Sequence, residues 1–174
     1  NLNDIERIIQ GGALPAAVKE TSLRVFRRLG EAEAKVHGTR IDQVHFHEVG
    51  ALDSIIDIIG SCLGLHQLGA DEVAVGPFPT GTGIIECAHG RFPNPAPATL
   101  ELLKGQPLTA TSEPYELVTP TGAALLTTWK TREAPPAGSR IVKLGYSFGH
   151  FKLERRPNLL RAGLLEYSES GQED

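Results

Sequence analysis

The chain has no surplus of positive charge. Seventeen Lys and Arg stand against 21 Asp and Glu, for a net charge of -4, a balance that disfavours bulk electrostatic binding to DNA, RNA or anionic membranes. No run of about 18 or more apolar residues is present, so no membrane span is expected. Residues 1–7 offer neither a basic n-region nor a long apolar h-region, which excludes a secretory signal there. The chain opens on Asn1 and not on Met, and this suggests a trimmed or excised piece. There are only two cysteines. Cys62 sits in an apolar helical pattern and Cys87 in a strand pattern, without metal or redox spacing, so both read as free structural thiols of a cytoplasmic protein. Also absent are Gly-x-Ser-x-Gly, a Walker-A loop, His-Glu-x-x-His, paired Cys-x-x-Cys, internal repeats and low-complexity segments. Those absences argue against the commonest hydrolase, nucleotide-loop and structural-zinc classes.

What remains is an ordinary globular composition, 40% hydrophobic and 22% charged over 174 residues. It suffices for a proper core, and we expect a single α+β domain over residues 1–167 with a polar, disordered tail at 168–174. Residues 3–10 read as a helix stopped by Gly11 and Gly12. Pro15 opens a second helix, with Val18, Phe26, Leu29, Ala32 and Val36 on one stripe and a solvated charged face opposite, ending at Gly38. His37 suits the negative end of that helix and is not counted as a ligand. A third helix runs from about Leu52 to Gly69 and is apolar nearly all round, which predicts burial. Its exception is a narrow strip of Asp53, Asp57, Gly60 or Ser61, and Gly64. Ser54 and Asp57 have capping-box spacing, although Glu or Gln is the usual partner.

Residues 72–78 and 84–88 read as strands around a Gly-rich turn. Gly-x-Gly alone is a weak phosphate signal, so a plain hairpin is preferred. Pro93, Pro95 and Pro97 form a stiff approach to a helix at 98–104 and would hold His89 and Asn94 in place. A short strand is expected at 107–112. Thr119 and Pro120 mark a helix start that capping fully explains. The functional alternative is an anion site at the free amides around Thr121 and Gly122. Strands at 140–145 and 159–167 close the fold, and between them 152–158 is the only dense basic cluster outside a helix. Altogether the pattern predicts N-terminal helices packed on a mixed or antiparallel sheet, with the third helix against it.

The stretch with most chemistry is His45 to Asp57, where two imidazoles and three carboxylates fall within thirteen residues. If His45 and His47 are extended, residues two apart point to the same side and can converge on one ion. In a helix, Asp53 and Asp57 would share a face. With Glu48, His89 and His150 these are the candidates for a metal or acid/base site. Mixed imidazole and carboxylate ligation suits zinc, iron, nickel or manganese, and the ligand types do not choose among them. Each residue taken alone also has a bland reading: a surface His-x-His, a helix-start Asp, a capping Asp.

Four motifs then carry a resemblance. They are residues 45–57 (HFHEVGALDSIID), His89-Gly90 with 95–99 (PAPAT), residues 116–124 (ELVTPTGAA), and 156–158 (RPN) with Leu160-Arg161. Together, in this order and over nearly the whole chain, they resemble the LarC nickel-insertion proteins. That resemblance implies part of an enzyme, of lyase class, that uses CTP and a divalent cation to insert nickel into pyridinium-3,5-bisthiocarboxylic acid mononucleotide. The product is the nickel-pincer cofactor of lactate racemase and related enzymes. Family members are longer, so CTP with magnesium or manganese is expected only together with a C-terminal part. On this reading His45 and His47, with Glu48 or Asp57, hold or hand over nickel. Asp53, His89, Thr119, Thr121, Gly122, Arg155 and Arg156 contact the mononucleotide, its phosphate lying at the 119–122 helix start or near Arg155 and Arg156. The implied partners are the small mononucleotide and a homo-oligomer, without nucleic acid or membrane. The alternative is a non-catalytic domain that docks the cofactor or organises an oligomer. A metal-dependent hydrolase is a weaker alternative, because no nucleophile accompanies the histidines.

Overall fold

A computed structural model of the chain describes residues 2–44, 52–87 and 90–168. It is α+β, as expected. The helices are α1 (Leu2–Gly11), α2 (Ala16–His37), α3 (Leu52–Leu68), α4 (Pro97–Leu102) and α5 (Pro120–Trp129), with one 3-10 turn at Ile41–Gln43. The strands are β1 (Phe78–Thr80), β2 (Ile84–Cys87), β3 (Gly90–Pro93), β4 (Leu108–Ala110), β5 (Arg140–Phe148) and β6 (Leu159–Glu166).

The molecule is built round α2. Its apolar stripe puts Val18, Val25, Phe26 and Leu29 at 0–1% exposure, and α1, α3, α4 and α5 all pack on it. Gly38, at φ 61°, is its left-handed cap, and its N–H donates back to the last turn. Ile5 and Ile9 of α1, Ile58 and Cys62 of α3, Leu102 and Leu103 at the end of α4, and Ala123 and Ala124 of α5 complete one core. Cys62 is a free, buried thiol. Burial pushes its pKa up, so it is inert packing at neutral pH.

The structure departs from the sequence reading in several places. The strands do not form one sheet. Among the described residues they make three separate pairs: β1 with β4 in parallel, β2 with β3 antiparallel, and β5 with β6 antiparallel. Helix α3 accordingly rests on α2 and α5, and not against a sheet. It is also not buried all round. Ile55, Ile58 and Cys62 face inward, while Leu52, Ile56 and Leu68 are 70%, 61% and 56% exposed. Ser54 falls inside the first turn of a helix that already begins at Leu52, so it is not an N-cap and the Ser54–Asp57 capping box does not form.

The expected hairpin at 72–88 does not form either. Gly76 and Pro77 interrupt the first run, and Val73 and Val75 instead bond to Thr131 and Arg132 beyond α5. The remaining residues pair as β1 with β4, Phe78 opposite Leu108. The β5–β6 ribbon is longer on its first strand than expected, with a register irregularity between Ile141 and Lys143. Directly paired residues share a face, so Leu144, Tyr146, Phe148 and Leu159 line one side, and all are exposed. The tail at 169–174 lies outside the described residues.

The base of this ribbon is tied down by Glu72, which accepts from Arg132 Nε and from the Tyr167 hydroxyl. The Arg132 guanidinium, helped by Tyr167, holds the Glu72 carboxyl below its ordinary range. A depressed carboxylate stabilises the fold above its unfolded-state pKa and loses that contribution as pH falls through the folded-state value. Amide exchange at residues 164–166 should therefore quicken as pH drops below the usual carboxylate range, after correction for intrinsic exchange. Glu72→Gln should abolish that pH dependence.

Two substitutions on α3 test its one-sided packing. Ile58→Ala, at 0% exposure, should cost about 2–5 kcal/mol in chemical denaturation. Ile56→Ala should stay within about 0.5 kcal/mol. Equal losses would mean that the outer face is covered in solution.

Candidate functional site

The non-helical part of the molecule converges on one short segment, Thr111 to Tyr115. Its backbone and side chains receive three other pieces of chain. From the Gly-rich turn, Thr82 N–H donates to Glu113 O at 2.8 Å. From the proline-rich approach to α4, Asn94 Nδ2 donates to Tyr115 O at 2.6 Å. Asn94 itself precedes a cis peptide bond to Pro95. From the β5–β6 loop, Glu154 N–H donates to Glu113 Oε2 at 3.2 Å and Arg155 N–H to Glu113 Oε1 at 3.3 Å.

Glu113 is 3% exposed. A buried carboxylate is costly unless its oxygens are satisfied, and here each oxygen holds one backbone N–H of the basic loop. The same loop is fixed in other ways. Phe151 stacks on Tyr115 with ring centroids 5.1 Å apart, Leu153 is buried, Gly149 N–H donates to Asn158 O, and Asn158 Nδ2 donates to Phe151 O. The result is a rigid main chain carrying exposed Lys152, Arg155 and Arg156. Among the described residues none of these three cations has a side-chain ion pair, whereas Arg7, Arg27, Arg40, Arg132, Lys104 and Lys130 all do.

Gly81 permits this convergence. A Cβ there would lie against the Tyr115 carbonyl oxygen, 2.5 Å from Asn94 Nδ2 and 2.9 Å from Glu113 O. Only a hydrogen fits.

Tyr115 leads in four residues to the start of α5. Thr119 is its N-cap, as the sequence indicated, with Oγ1 accepting from Gly122 N–H at 3.2 Å and its carbonyl accepting from Ala123 N–H at 2.9 Å. Capping thus consumes the Gly122 amide counted toward an anion site, and the first helical hydrogen bond takes that of Ala123. The Thr121 N–H is left without an acceptor among the described residues. Thr119 is exposed and Thr121 and Gly122 half-buried.

Asp53 and Asp57 lie on the exposed side of the first turns of α3. They share a helix face as expected, and no hydrogen bond or ion pair joins them to the 111–115 segment or to α5 among the described residues. No group of three or more His, Cys, Asp or Glu able to hold a metal occurs among the described residues. His45, His47, Glu48 and His89 lie outside them. Among the described residues the structure therefore links the main chain of Glu154 and Arg155, next to Arg156, to the segment that runs into Thr119, and no hydrogen bond or ion pair brings Asp53 or Asp57 to it.

The nickel insertion protein model matches residues 1–174, the full chain. The chain belongs to the nickel insertion protein family. Among its relatives is a pyridinium-3,5-bisthiocarboxylic acid mononucleotide nickel insertion protein of Desulfitobacterium hafniense, 49% identical over 175 aligned residues that cover 99% of this chain and 43% of the relative. A protein of the same name from Staphylococcus saprophyticus is 49% identical over 160 residues, covering 92% of this chain and 41% of the relative. The chain thus spans about two fifths of the length of these curated relatives. No solved structure matches it.

Glu113 and Tyr115 are the residues that reading the sequence missed. In sequence Glu113 is a carboxylate between a serine and a proline, which reads as a solvated loop. Its partners lie 41 and 42 residues away, so no local signal marks it. Gly81→Ala should destabilise the protein by about 1–3 kcal/mol through overpacking against main chain, measured by thermal unfolding. It should also raise trypsin sensitivity at Lys152 and Arg155, because displacing Tyr115 displaces what Phe151 stacks on. A glycine-like tolerance of alanine would contradict the close approach.

Proposed function

We propose that this chain is part of a CTP-dependent nickel-insertion enzyme acting on pyridinium-3,5-bisthiocarboxylic acid mononucleotide, in the cytoplasm. The observation that carries the reading is the full-length family match together with relatives, 49% identical, whose names state that substrate. CTP, with magnesium or manganese, would act with parts of the relatives beyond the length this chain matches.

On this reading the two halves of the chemistry sit on different parts of the chain. Nickel is cargo, held by His45 and His47 with Glu48 or Asp57. Imidazole suits nickel, and an incomplete donor set lets the ion leave. The mononucleotide phosphate is taken by Arg155 and Arg156, which are exposed, have no side-chain ion pair among the described residues, and follow a main chain held by Glu113. Arginine forks match phosphate oxygens in pairs. Thr121 N–H at the start of α5, Thr119, Gly122, Asp53 and His89 would contact the remainder of the ligand. The arginine loop is favoured over the helix start for the phosphate, since the Thr119 cap already uses the Gly122 amide and the helix itself uses that of Ala123.

The chain spans only about two fifths of its curated relatives, and this favours one second reading, a cofactor-docking or oligomer-organising domain without metal of its own. Two titrations separate the readings: calorimetry of the 174-residue chain with nickel, and with nicotinic acid mononucleotide, a pyridinium mononucleotide of the same ring and phosphate chemistry. We expect both to bind. His45→Ala with His47→Ala should weaken nickel by at least the roughly 10–100-fold that even outer-shell changes cost, and leave the mononucleotide unchanged. Nickel affinity unmoved by that pair sinks the metal assignment. Mononucleotide binding without any nickel binding selects the docking domain.

A further inference from the structure

We infer that Glu113 is a positioning residue for the phosphate-binding face, holding the main chain of Glu154 and Arg155 so that the Arg155 and Arg156 guanidiniums are presented together. The inference rests on the reading of those two arginines as the phosphate grip. Three observations carry it. The Glu113 side chain is almost wholly buried, so it meets no ligand directly. Each of its oxygens takes a separate backbone N–H, of consecutive residues in the basic loop. Its own carbonyl takes the Thr82 N–H, which ties that loop to the Gly-rich turn through a single residue.

A carboxylate is required for this grip, because two neighbouring N–H groups need two acceptors. An amide of the same shape offers one oxygen and turns an NH2 toward the other N–H, so one of the two bonds becomes a donor–donor conflict. Long cationic side chains lose rotamer freedom when they bind. Fixing the backbone beneath them removes part of that cost in advance.

The test uses the 174-residue chain with Glu113→Gln, Glu113→Asp, and the pair Arg155→Ala with Arg156→Ala. Two quantities are read: affinity for nicotinic acid mononucleotide, and the rate of trypsin cleavage after Lys152 and Arg155 in the free protein. We expect Glu113→Gln to weaken the probe about five- to tenfold and to speed cleavage by about tenfold, from one buried donor left unsatisfied. Glu113→Asp keeps both acceptors one methylene short and should fall between. In the arginine double variant Glu113→Gln should cost no further affinity, since the groups it positions are gone. Ile58→Ala controls for general destabilisation and should leave the probe affinity unchanged.

Faster cleavage with unchanged probe affinity in Glu113→Gln, while the arginine variant still binds weakly, overturns the positioning role and leaves the phosphate grip standing. Probe affinity unchanged in the arginine variant overturns the grip and the positioning role together. Should Glu113→Gln lose cooperative unfolding, Glu113→Asp decides the question by the same two readouts.

Discussion

Burial of one side of α2 is the constraint from which the rest follows. A helix of 22 residues with Val18, Val25, Phe26 and Leu29 on one stripe must find apolar partners over its whole length, and four other helices supply them. At about 1.5–3 kcal/mol per fully buried large side chain, that stripe outweighs anything the short strands can contribute. Strands of three or four residues cannot organise a core. They are carried on a helical one. This explains why the class is α+β without a continuous sheet: the strands connect pieces of surface chain, and the helices do the packing.

Because the strands do not make a sheet, the surface chain must be fixed by other means, and these are polar. Glu113, Asn94 and Thr82 join four segments through side-chain and main-chain hydrogen bonds. Such bonds are modest in net worth, about 0.5–1.5 kcal/mol each, but leaving a buried partner unmade costs more. The arrangement is accordingly specific more than it is strong. It fixes the main chain of Glu154 and Arg155 on the Glu113 carboxylate.

The sequence was legible where the signal is local. The Thr119-Pro120 start of α5 and the Gly38 stop of α2 are each written within a few residues, and each stands where its chemistry puts it. It was illegible where the partner is remote. Phe78 pairs in parallel with Leu108, thirty positions on, so the glycines at 81 and 83 read as a hairpin turn when Gly81 is in fact a point of close approach. Helix α3 shows the limit of composition. Its apolarity identifies a helix that prefers cover, but only Ile55, Ile58 and Cys62 are fully buried among its described residues, Ile59 and Leu63 partly so, and Leu52, Ile56 and Leu68 stay exposed. The site divides the same way. The basic cluster at 152–156 is visible in the sequence, and the buried carboxylate beneath it is not, since 41 residues separate them. The family motifs at 45–48 and at 89 fall outside the described residues, so for them the sequence remains the whole argument.

Donor chemistry gives that argument a direction. The mononucleotide named for the relatives carries two thiocarboxylates, whose sulfurs are softer than the imidazole and carboxylate donors of His45, His47, Glu48 and Asp57. Late divalent metals bind such sulfur donors more tightly than oxygen donors, so nickel placed first on nitrogen and oxygen would have a downhill path to the substrate. The converse arrangement, a cysteine site on the protein, would compete with the substrate for the same ion. This chain has only Cys62, buried and shifted toward its thiol form, and Cys87, and the two have no ligand spacing. On the proposed reading, a phosphate grip at Arg155 and Arg156 would hold the organic ligand and leave its sulfurs free, since the whole length of the ribose separates the phosphate from the reacting atoms.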